Sequence, residues 1–175
     1  MTTFTEDWFF DADCQALQAI ADRVAHLDGA VIEVGCWEGR STIALANAVH
    51  PANVNAVDTW LGSPGEISAE LAADRDVFAT FNANIAEATE GNVIAHRMGW
   101  REFFDTWDGP IRLIHIDATH SYDEVRDNIV TVRPHMVSGG IICGDDAHHP
   151  PVRRAVMDTL GNALLAGAKL WHREV

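Results

Sequence analysis

Short apolar runs alternate along the chain with segments in which apolar residues recur three and four positions apart. The β-branched runs predict strands, and the segments of helical periodicity predict the helices between them. The predicted strands cover residues 30–34, 54–57, 93–96, 111–117 and 141–145. The predicted helices cover residues 13–27, 40–49, 78–88, 102–106, 121–132 and 152–160.

Strands that alternate with helices, and that are themselves almost wholly apolar, predict a mostly parallel sheet covered by helices on both faces. Right-handed crossovers then give a doubly wound α/β fold. Residues 163–174 predict either a β-hairpin that turns near Gly167 or a helix end followed by one strand, and we prefer the hairpin. No linker, repeat or charge block divides the sequence, so we expect a single domain over residues 1–175.

Two segments outside this regular pattern are candidates for covering a site. Residues 61–73 begin irregularly and become weakly helical, and we interpret them as a lid. Within the N-terminal segment and helix, residues 1–29, the aromatic run Trp8, Phe9 and Phe10 has two interpretations. It packs on the body of the domain, as short aromatic runs usually do, or it forms a flap or a subunit contact. Homodimerisation is therefore a hypothesis.

The balance of charge narrows the range of partners. The sequence has 26 acidic and 12 basic residues, for a formal net charge of −14. Such a surface repels phosphate backbones and anionic lipids, so we predict neither a nucleic-acid partner nor a membrane partner. The three cysteines are widely spaced, and the first residues do not resemble a signal peptide. These features predict a reduced, cytoplasmic location.

The turn after the first predicted strand has the features of a cofactor loop. Gly35 and Gly39 bracket it, and the helix that follows directs free N–H groups from the region of Ser41 toward any bound ligand. Asp58 ends the next strand, where an acid can accept hydrogen bonds from ribose hydroxyls. The bulky Trp37 suits an adenosine that carries a cation better than a pyrophosphate. A simple packing turn, with Asp58 as a helix cap, is the alternative interpretation.

Three aspartates follow two of the predicted strands. Asp117 ends one strand, and Asp145 and Asp146 end the next. If these strands are neighbours, three carboxylates meet at one edge of the sheet, where they repel each other unless a proton or a cation lies between them. Carboxylate oxygens suit Mg²⁺, Mn²⁺ or Ca²⁺ better than zinc. In the alternative interpretation, Asp146 caps the following segment and only Asp145 contacts a substrate.

One histidine is a candidate catalytic residue, and three others are interpreted as residues without a catalytic role. His120 follows Asp117 closely and is a candidate general base, although a packing role is equally supported. His115 lies inside a strand, which predicts a core residue. His148 and His149 follow the aspartate pair, and we interpret them as exposed loop residues.

Taken together, these motifs resemble those of class I S-adenosylmethionine-dependent methyltransferases. Residues 33–41, with the sequence EVGCWEGRS, are similar to the first motif of that class. Residues 57–62, 115–122 and 139–146 resemble a small bacterial group related to macrocin O-methyltransferase and the so-called cephalosporin hydroxylases. The similarity extends over residues 30–156 and implies a Rossmann-like methyltransferase fold.

The resemblance also implies roles for individual residues. It implies S-adenosylmethionine as cofactor, bound by Glu33, Gly35, Cys36, Trp37, Gly39, Ser41, Asp58, Thr59, Trp60, Gly99 and Trp100. It implies Mg²⁺, or else Mn²⁺ or Ca²⁺, with Asp117, Asp145 and Asp146 as ligands. Asp117 and His120 are the implied catalytic residues. Trp100 stands where this family usually has a small polar residue.

We therefore predict a metal-assisted O-methyltransferase that acts on a small hydroxylated molecule. A divalent ion orients the acceptor hydroxyl and lowers its pKa, so that its oxygen can attack the methyl group of a sulfonium. One alternative is a nucleotide-dependent oxidoreductase, which the incomplete glycine pattern disfavours. The other is a non-catalytic cofactor-binding or assembly protein that keeps a degenerate methyltransferase fold.

Overall fold

The computed structural model describes residues 2–175, in which seven strands form one sheet between helices. The strands are β1 (Ala30–Val34), β2 (Val54–Asp58), β3 (Val93–Arg97), β4 (Ile111–Ile116), β5 (Met136–Gly144), β6 (Leu164–Ala166) and β7 (Leu170–Glu174). The helices are α1 (Asp11–Arg23), α2 (Arg40–Val49), α3 (Ile67–Asp74), α4 (Val77–Ala88), α5 (Trp100–Thr106), α6 (Tyr122–Val132) and α7 (Pro150–Leu160). A 3₁₀ turn, Arg133–His135, leads into β5.

The strand order in the sheet is β3-β2-β1-β4-β5-β7-β6. Strands β1 to β5 are parallel, whereas β7 runs antiparallel to β5 and β6 antiparallel to β7. The predicted doubly wound sheet and the preferred C-terminal hairpin are confirmed. The strands β1 and β4 are neighbours, and the chain continues from them toward opposite edges of the sheet. A crevice therefore opens between their carboxyl ends. Ligands bind in such crevices in doubly wound folds.

Alternate residues of the central strands pack against two separate layers of helices, one on each face of the sheet. In β1, Val31 packs with α1 and α2, whereas Ile32 packs with α5, α6 and α7 on the opposite face. Both faces are buried, which explains why the strands read as continuous apolar runs rather than as alternating patterns. Among residues 2–175, no helix has both the length and the apolar composition needed to cross a bilayer.

Helix α1 is displaced from the range that the periodicity predicted. It begins at Asp11, where the Asp13 carboxylate accepts the backbone N–H of Phe10 at 3.4 Å, and it ends at Arg23. Val24 and Leu27 still pack in the same apolar cluster as α1, but from the turns that follow it. The apolar spacing therefore predicted a C-terminal end of the helix that is too late, because the turn after the helix also buries apolar side chains.

Asp13 anchors the C-terminal hairpin to α1. Its carboxylate is fully buried, and Oδ1 accepts the N–H groups of Ala168 at 2.7 Å and Lys169 at 3.1 Å. Gly167 begins this turn at φ +60°, and a Cβ there would lie 2.4 Å from Asp13 Oδ1. The anchor thus fixes the turn between β6 and β7 beside the carboxyl end of β5.

Replacing Asp13 with alanine is expected to lower the free energy of unfolding by about 2 kcal/mol, because two backbone N–H groups lose a buried acceptor. Urea denaturation followed by circular dichroism measures this loss. Asp22→Ala, at an exposed position of the same helix, should change stability by less than about 0.5 kcal/mol. Equal losses in the two variants would contradict the anchoring role.

Candidate active site

A cavity of about 1160 Å³ opens at the carboxyl ends of the parallel strands. Its walls come from the loop after β1, from the ends of β2, β4 and β5, and from covering segments before α1 and α3. Most of the predicted site residues line it: Gly35, Cys36, Trp37, Ser41, Asp58, Thr59, Gly99, Trp100, Asp117, His120, Asp145 and Asp146. The loop and the acidic cluster, predicted separately, therefore share one cavity.

Three predicted cofactor residues, Glu33, Gly39 and Trp60, lie behind this wall. Glu33 is fully buried, with Oε1 3.0 Å from His115 Nδ1 and Oε2 accepting the hydroxyl of Thr42. Burial alone would lower the pKa of His115, but the hydrogen bond and charge of Glu33 raise it. Glu33 therefore pairs with the histidine that the sequence predicted to be in the core, and this pair supports the loop from beneath.

Gly35 is the point at which the loop after β1 meets the end of β4. Its φ is +85°, and a Cβ there would lie 2.0 Å from the carbonyl oxygen of Asp117. Only glycine combines this backbone conformation with so close an approach. The loop can therefore lie this close to the acidic cluster only because residue 35 is a glycine and has no side chain.

Asp58 shapes the loop as well as lining the cavity. Its Oδ2 accepts the backbone N–H groups of Cys36 at 2.7 Å and Trp37 at 3.0 Å, and its Oδ1 accepts that of Trp60 at 2.7 Å. Burial raises the pKa of this carboxyl, although the three N–H donors oppose the shift. Asp58 thus holds the loop in its curved conformation.

The segment before α1, residues 3–8, forms an N-terminal strap across the loop after β1. The backbone N–H and the hydroxyl of Thr5 both donate to Glu38 at 2.7 Å. Glu6 accepts the indole N–H of Trp37 at 3.1 Å and pairs with Arg75. These contacts tie the strap both to the loop and to the segment between α3 and α4.

The aromatic run Trp8, Phe9 and Phe10 begins at the end of the strap. All three residues line the cavity, but Phe9 is 6% exposed and packs in the core with Leu17, whereas Trp8 and Phe10 are 38% and 43% exposed. The Trp8 ring also lies 5.2 Å from the Trp37 ring, centroid to centroid. Phe9 therefore anchors the segment to the core, and Trp8 and Phe10 are the more exposed part of the cavity wall.

The structure brings the three predicted aspartates together. Strands β4 and β5 are adjacent, with Ile116 opposite Gly144, so Asp117 and the aspartate pair follow at the same edge. Asp117, His120 and Asp146 each offer a ligand atom within 4.8 Å of the others. The Nε2 atom of His120 lies 2.9 Å from Asp146 Oδ2 and 3.6 Å from Asp117 Oδ1.

Lys169 is a member of this cluster that the sequence analysis missed. Its Nζ lies 2.6 Å from Asp145 Oδ2 and 3.5 Å from Asp146 Oδ1, in a half-buried position. Lys169 is far from the aspartates in sequence, and only the antiparallel course of β7 beside β5 returns it to this edge. The preferred hairpin was the one signal that could have pointed to it.

Glu66 is the second residue that the sequence analysis missed. It immediately precedes α3 within the predicted lid, and it accepts the backbone N–H of His120 at 3.1 Å. Its other carboxylate oxygen lies 3.1 Å from His120 Nδ1. The lid segment is therefore joined to the acidic cluster through His120.

His148, by contrast, has a largely exposed side chain, as predicted.

The charges of the cluster shift several pKa values in opposite directions. Burial would lower the pKa of His120, but Asp117 and Asp146 raise it to about 11. Burial, together with the charge of Asp117, raises the pKa of Asp145 to about 7 despite the contact with Lys169. Burial would raise the pKa of Asp146, but His120 and Lys169 lower it to about 2. The positive charges of His120 and Lys169 thus partly neutralise the carboxylates of the cluster.

Comparisons with known proteins identify the family. The sequence model of a family described as "Methyltransferase domain" matches residues 32–147. This chain belongs to that methyltransferase family. A sequence comparison with curated proteins found no match to this chain.

Three solved structures illustrate its fold. The calicheamicin methyltransferase CalS11 has a TM-score of 0.73 at 17% identity, over 93% of this chain and 78% of that one. The O-methyltransferase NovP has a TM-score of 0.68 at 18% identity, over 93% and 79%. A putative O-methyltransferase from Klebsiella pneumoniae has a TM-score of 0.71 at 15% identity, over 97% and 83%. At these identities the likeness shows a shared fold.

The family and the fold confirm the predicted class I S-adenosylmethionine-dependent methyltransferase. They do not support the oxidoreductase alternative. The narrower resemblance to the macrocin O-methyltransferase group stays a prediction, as do the roles of the individual site residues.

The residues of the methyltransferase fit a divalent cation. Two carboxylates and an imidazole converge at Asp117, His120 and Asp146. The Nε2 atom of His120 lies 2.9 Å from Asp146 Oδ2, so the imidazole now supplies the positive charge between the two carboxylates. A divalent cation held by Asp117 and Asp146 would supply the same kind of charge at this place.

Proposed function

We propose that this methyltransferase transfers the methyl group of S-adenosylmethionine to an oxygen of a small hydroxylated molecule, with a divalent cation held at the acidic cluster. The observation that carries the proposal is the single cavity that joins the loop after β1 to Asp117, His120 and Asp146. Donor and acceptor must meet within one water-excluding space, because the methyl group passes directly from sulfur to oxygen.

The donor side of the cavity suits a sulfonium that also carries an amino-acid carboxylate. Ser41 lines the cavity in the first turn of α2, where free N–H groups favour an anion. Asp58 also lines the cavity and supplies negative charge that favours a cationic donor. Gly35, Cys36, Trp37, Thr59, Gly99 and Trp100 complete the proposed donor site.

The acceptor side offers a group to receive the proton of the hydroxyl. Asp117 lines the cavity at the end of β4, and its carboxylate lies 3.6 Å from His120 Nε2. A divalent cation, when bound, would supply charge that lowers the pKa of the acceptor hydroxyl. Asp117 then takes the proton, and His120 orients Asp117 and Asp146. The size of the cavity, about 1160 Å³, leaves room for a small acceptor beside the donor.

Two measurements test this proposal. Isothermal titration calorimetry should show that S-adenosylhomocysteine binds to the purified protein. Incubation with S-adenosylmethionine, MgCl₂ or MnCl₂ and a panel of phenols and sugars should yield methylated products, detected by mass spectrometry, with at least one acceptor. Failure of S-adenosylhomocysteine to bind would refute the proposal. Binding without transfer to any acceptor would favour the non-catalytic alternative.

Asp117→Asn is expected to lower the turnover number by a factor of about 10³, because the amide cannot accept the acceptor proton. The affinity for S-adenosylhomocysteine should remain within about 3-fold of the wild type, since Asp117 lies on the acceptor side. Initial rates with the best acceptor of the panel provide the measurement. Asp105→Asn, at an exposed site on α5, is the matched control and should keep full activity. Activity retained by Asp117→Asn would exclude the role of Asp117.

A further inference from the structure

We infer that the acceptor of this methyltransferase is a phenol without an anionic substituent, and that Phe10 and Ile67 select its ring. The inference rests on the methyl transfer proposed above and names the class of molecule that the acceptor side takes. It is carried by exposed apolar side chains in the cavity wall, by the contacts that hold two of them beside the acidic cluster, and by the pairing of the basic side chains in the same wall.

Large apolar side chains remain exposed in the wall of the cavity. Trp8 and Phe10 come from the strap and the residues after it, and Leu61 and Ile67 come from the predicted lid. Leu61 and Ile67 are 64% and 57% exposed, more than either aromatic residue. We call these four side chains the apolar wall. Apolar surface exposed in a concave site costs free energy in water, and an apolar ligand that covers it removes that cost.

The lid holds Ile67 beside the acidic cluster. Ile67 follows Glu66, whose carboxylate accepts the backbone N–H of His120 at 3.1 Å and lies 3.1 Å from His120 Nδ1. Within the lid, the backbone N–H of Ser63 donates to Ser68 Oγ at 2.9 Å, which closes the segment on itself. The position of Ile67 is therefore fixed relative to His120 and does not depend on a free loop.

The start of α1 holds Phe10 beside the same cluster. One oxygen of the Asp13 carboxylate accepts the backbone N–H of Phe10 at 3.4 Å, and the other accepts that of Lys169 at 3.1 Å. Lys169 in turn reaches Asp145 with its Nζ atom at 2.6 Å. Phe10 and Ile67 therefore approach the acidic cluster from two different segments. A ring that contacts both would lie beside Asp117, the residue proposed to take the proton.

The chemistry of the apolar wall favours an aromatic ring over a sugar. Aromatic rings pack on aromatic and aliphatic side chains through apolar area and edge-to-face contacts. A sugar carries hydroxyl groups around its ring, and each hydroxyl covered by this wall would lose hydrogen bonds to water without gaining a partner. A phenol needs only one polar contact, at the hydroxyl that receives the methyl group.

The charges of the cavity wall disfavour an anionic acceptor. Arg40 and Lys169 are the arginine and the lysine among the described residues that line it. Arg40 pairs with Asp7 at 2.6 Å and with Asp11 at 2.8 Å, and Lys169 pairs with Asp145 at 2.6 Å. A carboxylate or phosphate on the acceptor would have to displace one of these partners or lie near other carboxylates, and such like charges repel. A divalent cation, when bound, would be balanced by the two carboxylates that hold it.

Ligand-observed NMR of the protein with S-adenosylhomocysteine and MgCl₂ tests the inference with three probes. Methyl 4-hydroxybenzoate is an uncharged phenol, 4-hydroxybenzoate is the same ring with a carboxylate, and methyl β-D-glucopyranoside is an uncharged sugar. At neutral pH, saturation-transfer titrations should show that the ester binds at least about 10-fold more tightly than the carboxylate and the sugar. An ester that fails to bind, or that binds no more tightly than the other two probes, would overturn the inference.

Substitutions in the apolar wall test the two selecting residues. Phe10→Ser and Ile67→Ser should each weaken binding of the ester by about 5-fold or more, because apolar contact area is lost. The affinity for S-adenosylhomocysteine should stay within about 3-fold of the wild type, since neither residue belongs to the proposed donor site. Leu165→Ser is the matched control, because Leu165 is 76% exposed on β6 and does not line the cavity. If all three variants bind the ester as the wild type does, the role of Phe10 and Ile67 is excluded.

The outcomes also separate this inference from the proposed function. If S-adenosylhomocysteine binds and methyl groups pass only to sugars or to carboxylated acceptors, the transferase activity stands and the acceptor class is wrong. If S-adenosylhomocysteine does not bind, the proposed function fails and this inference fails with it. Because the three probes are compared on the wild-type protein, the first test does not depend on any variant folding.

Discussion

Gly35→Ala is expected to abolish the binding of S-adenosylhomocysteine and to lower the free energy of unfolding by about 3 kcal/mol or more. A left-handed backbone conformation costs a non-glycine residue about 1–2 kcal/mol. The added Cβ would also lie 2.0 Å from the carbonyl oxygen of Asp117, which is a backbone atom and cannot rotate away. The loop would have to separate from the end of β4, and the two halves of the cavity would part.

Thermal denaturation and calorimetric titration measure these two effects. Gly91→Ala is the matched control, because Gly91 has a similar φ of +79° but no atom within 4 Å of the position of a Cβ. This variant should lose only about 1 kcal/mol from backbone strain and bind S-adenosylhomocysteine normally. If Gly35→Ala behaves like Gly91→Ala, the close approach of the loop to Asp117 has no functional importance.

Asp58→Ala is expected to weaken the binding of S-adenosylhomocysteine by about 100-fold. Three backbone N–H groups, those of Cys36, Trp37 and Trp60, lose their acceptor. Hydrogen bonds to a charged group contribute about 1.5–3 kcal/mol each, so the loop should lose its curved conformation. In the proposed site, the ribose also loses its acceptor. Isothermal titration calorimetry provides the affinity.

Asp76→Ala separates this effect from the general loss of an aspartate that accepts backbone N–H groups. Asp76 caps α4, where its side chain accepts the N–H of Ala79 away from the cavity. Its replacement should lower stability by about 1 kcal/mol and leave the affinity for S-adenosylhomocysteine unchanged. An Asp58→Ala protein that binds the ligand as well as Asp76→Ala does would show that Asp58 has no role in the cofactor site.

The sequence predicted the architecture well, because the fold depends on local patterns. Continuous apolar runs such as β4 occur where both faces of a strand are buried, and the helical periodicity between them implies parallel crossovers. Where a boundary was wrong, as at the end of α1, the cause was a turn in which Val24 and Leu27 continued to pack. The tight turn predicted at Gly35 is also present, with a φ of +85°.

The candidate site was only partly predictable. Gly35, Asp58 and Asp117 line the cavity as expected, since each lies at or just beyond the end of a parallel strand. Glu33 belongs to the same motif but is buried against His115, a residue of a neighbouring strand. A motif gives the positions of residues along the chain, whereas the direction of a side chain depends on its partner across the sheet.

The sequence by itself determined that the acids follow the ends of parallel strands and that a glycine loop follows the first strand, because strand ends follow from the hydrophobic pattern. Only the tertiary structure decided that β4 and β5 are neighbours and how those acids are paired. Lys169 reaches Asp145 through the antiparallel hairpin, and Glu66 reaches His120 from the segment before α3. Electrostatic pairing acts over a few ångströms of space, and no local pattern reports which distant residues come that close.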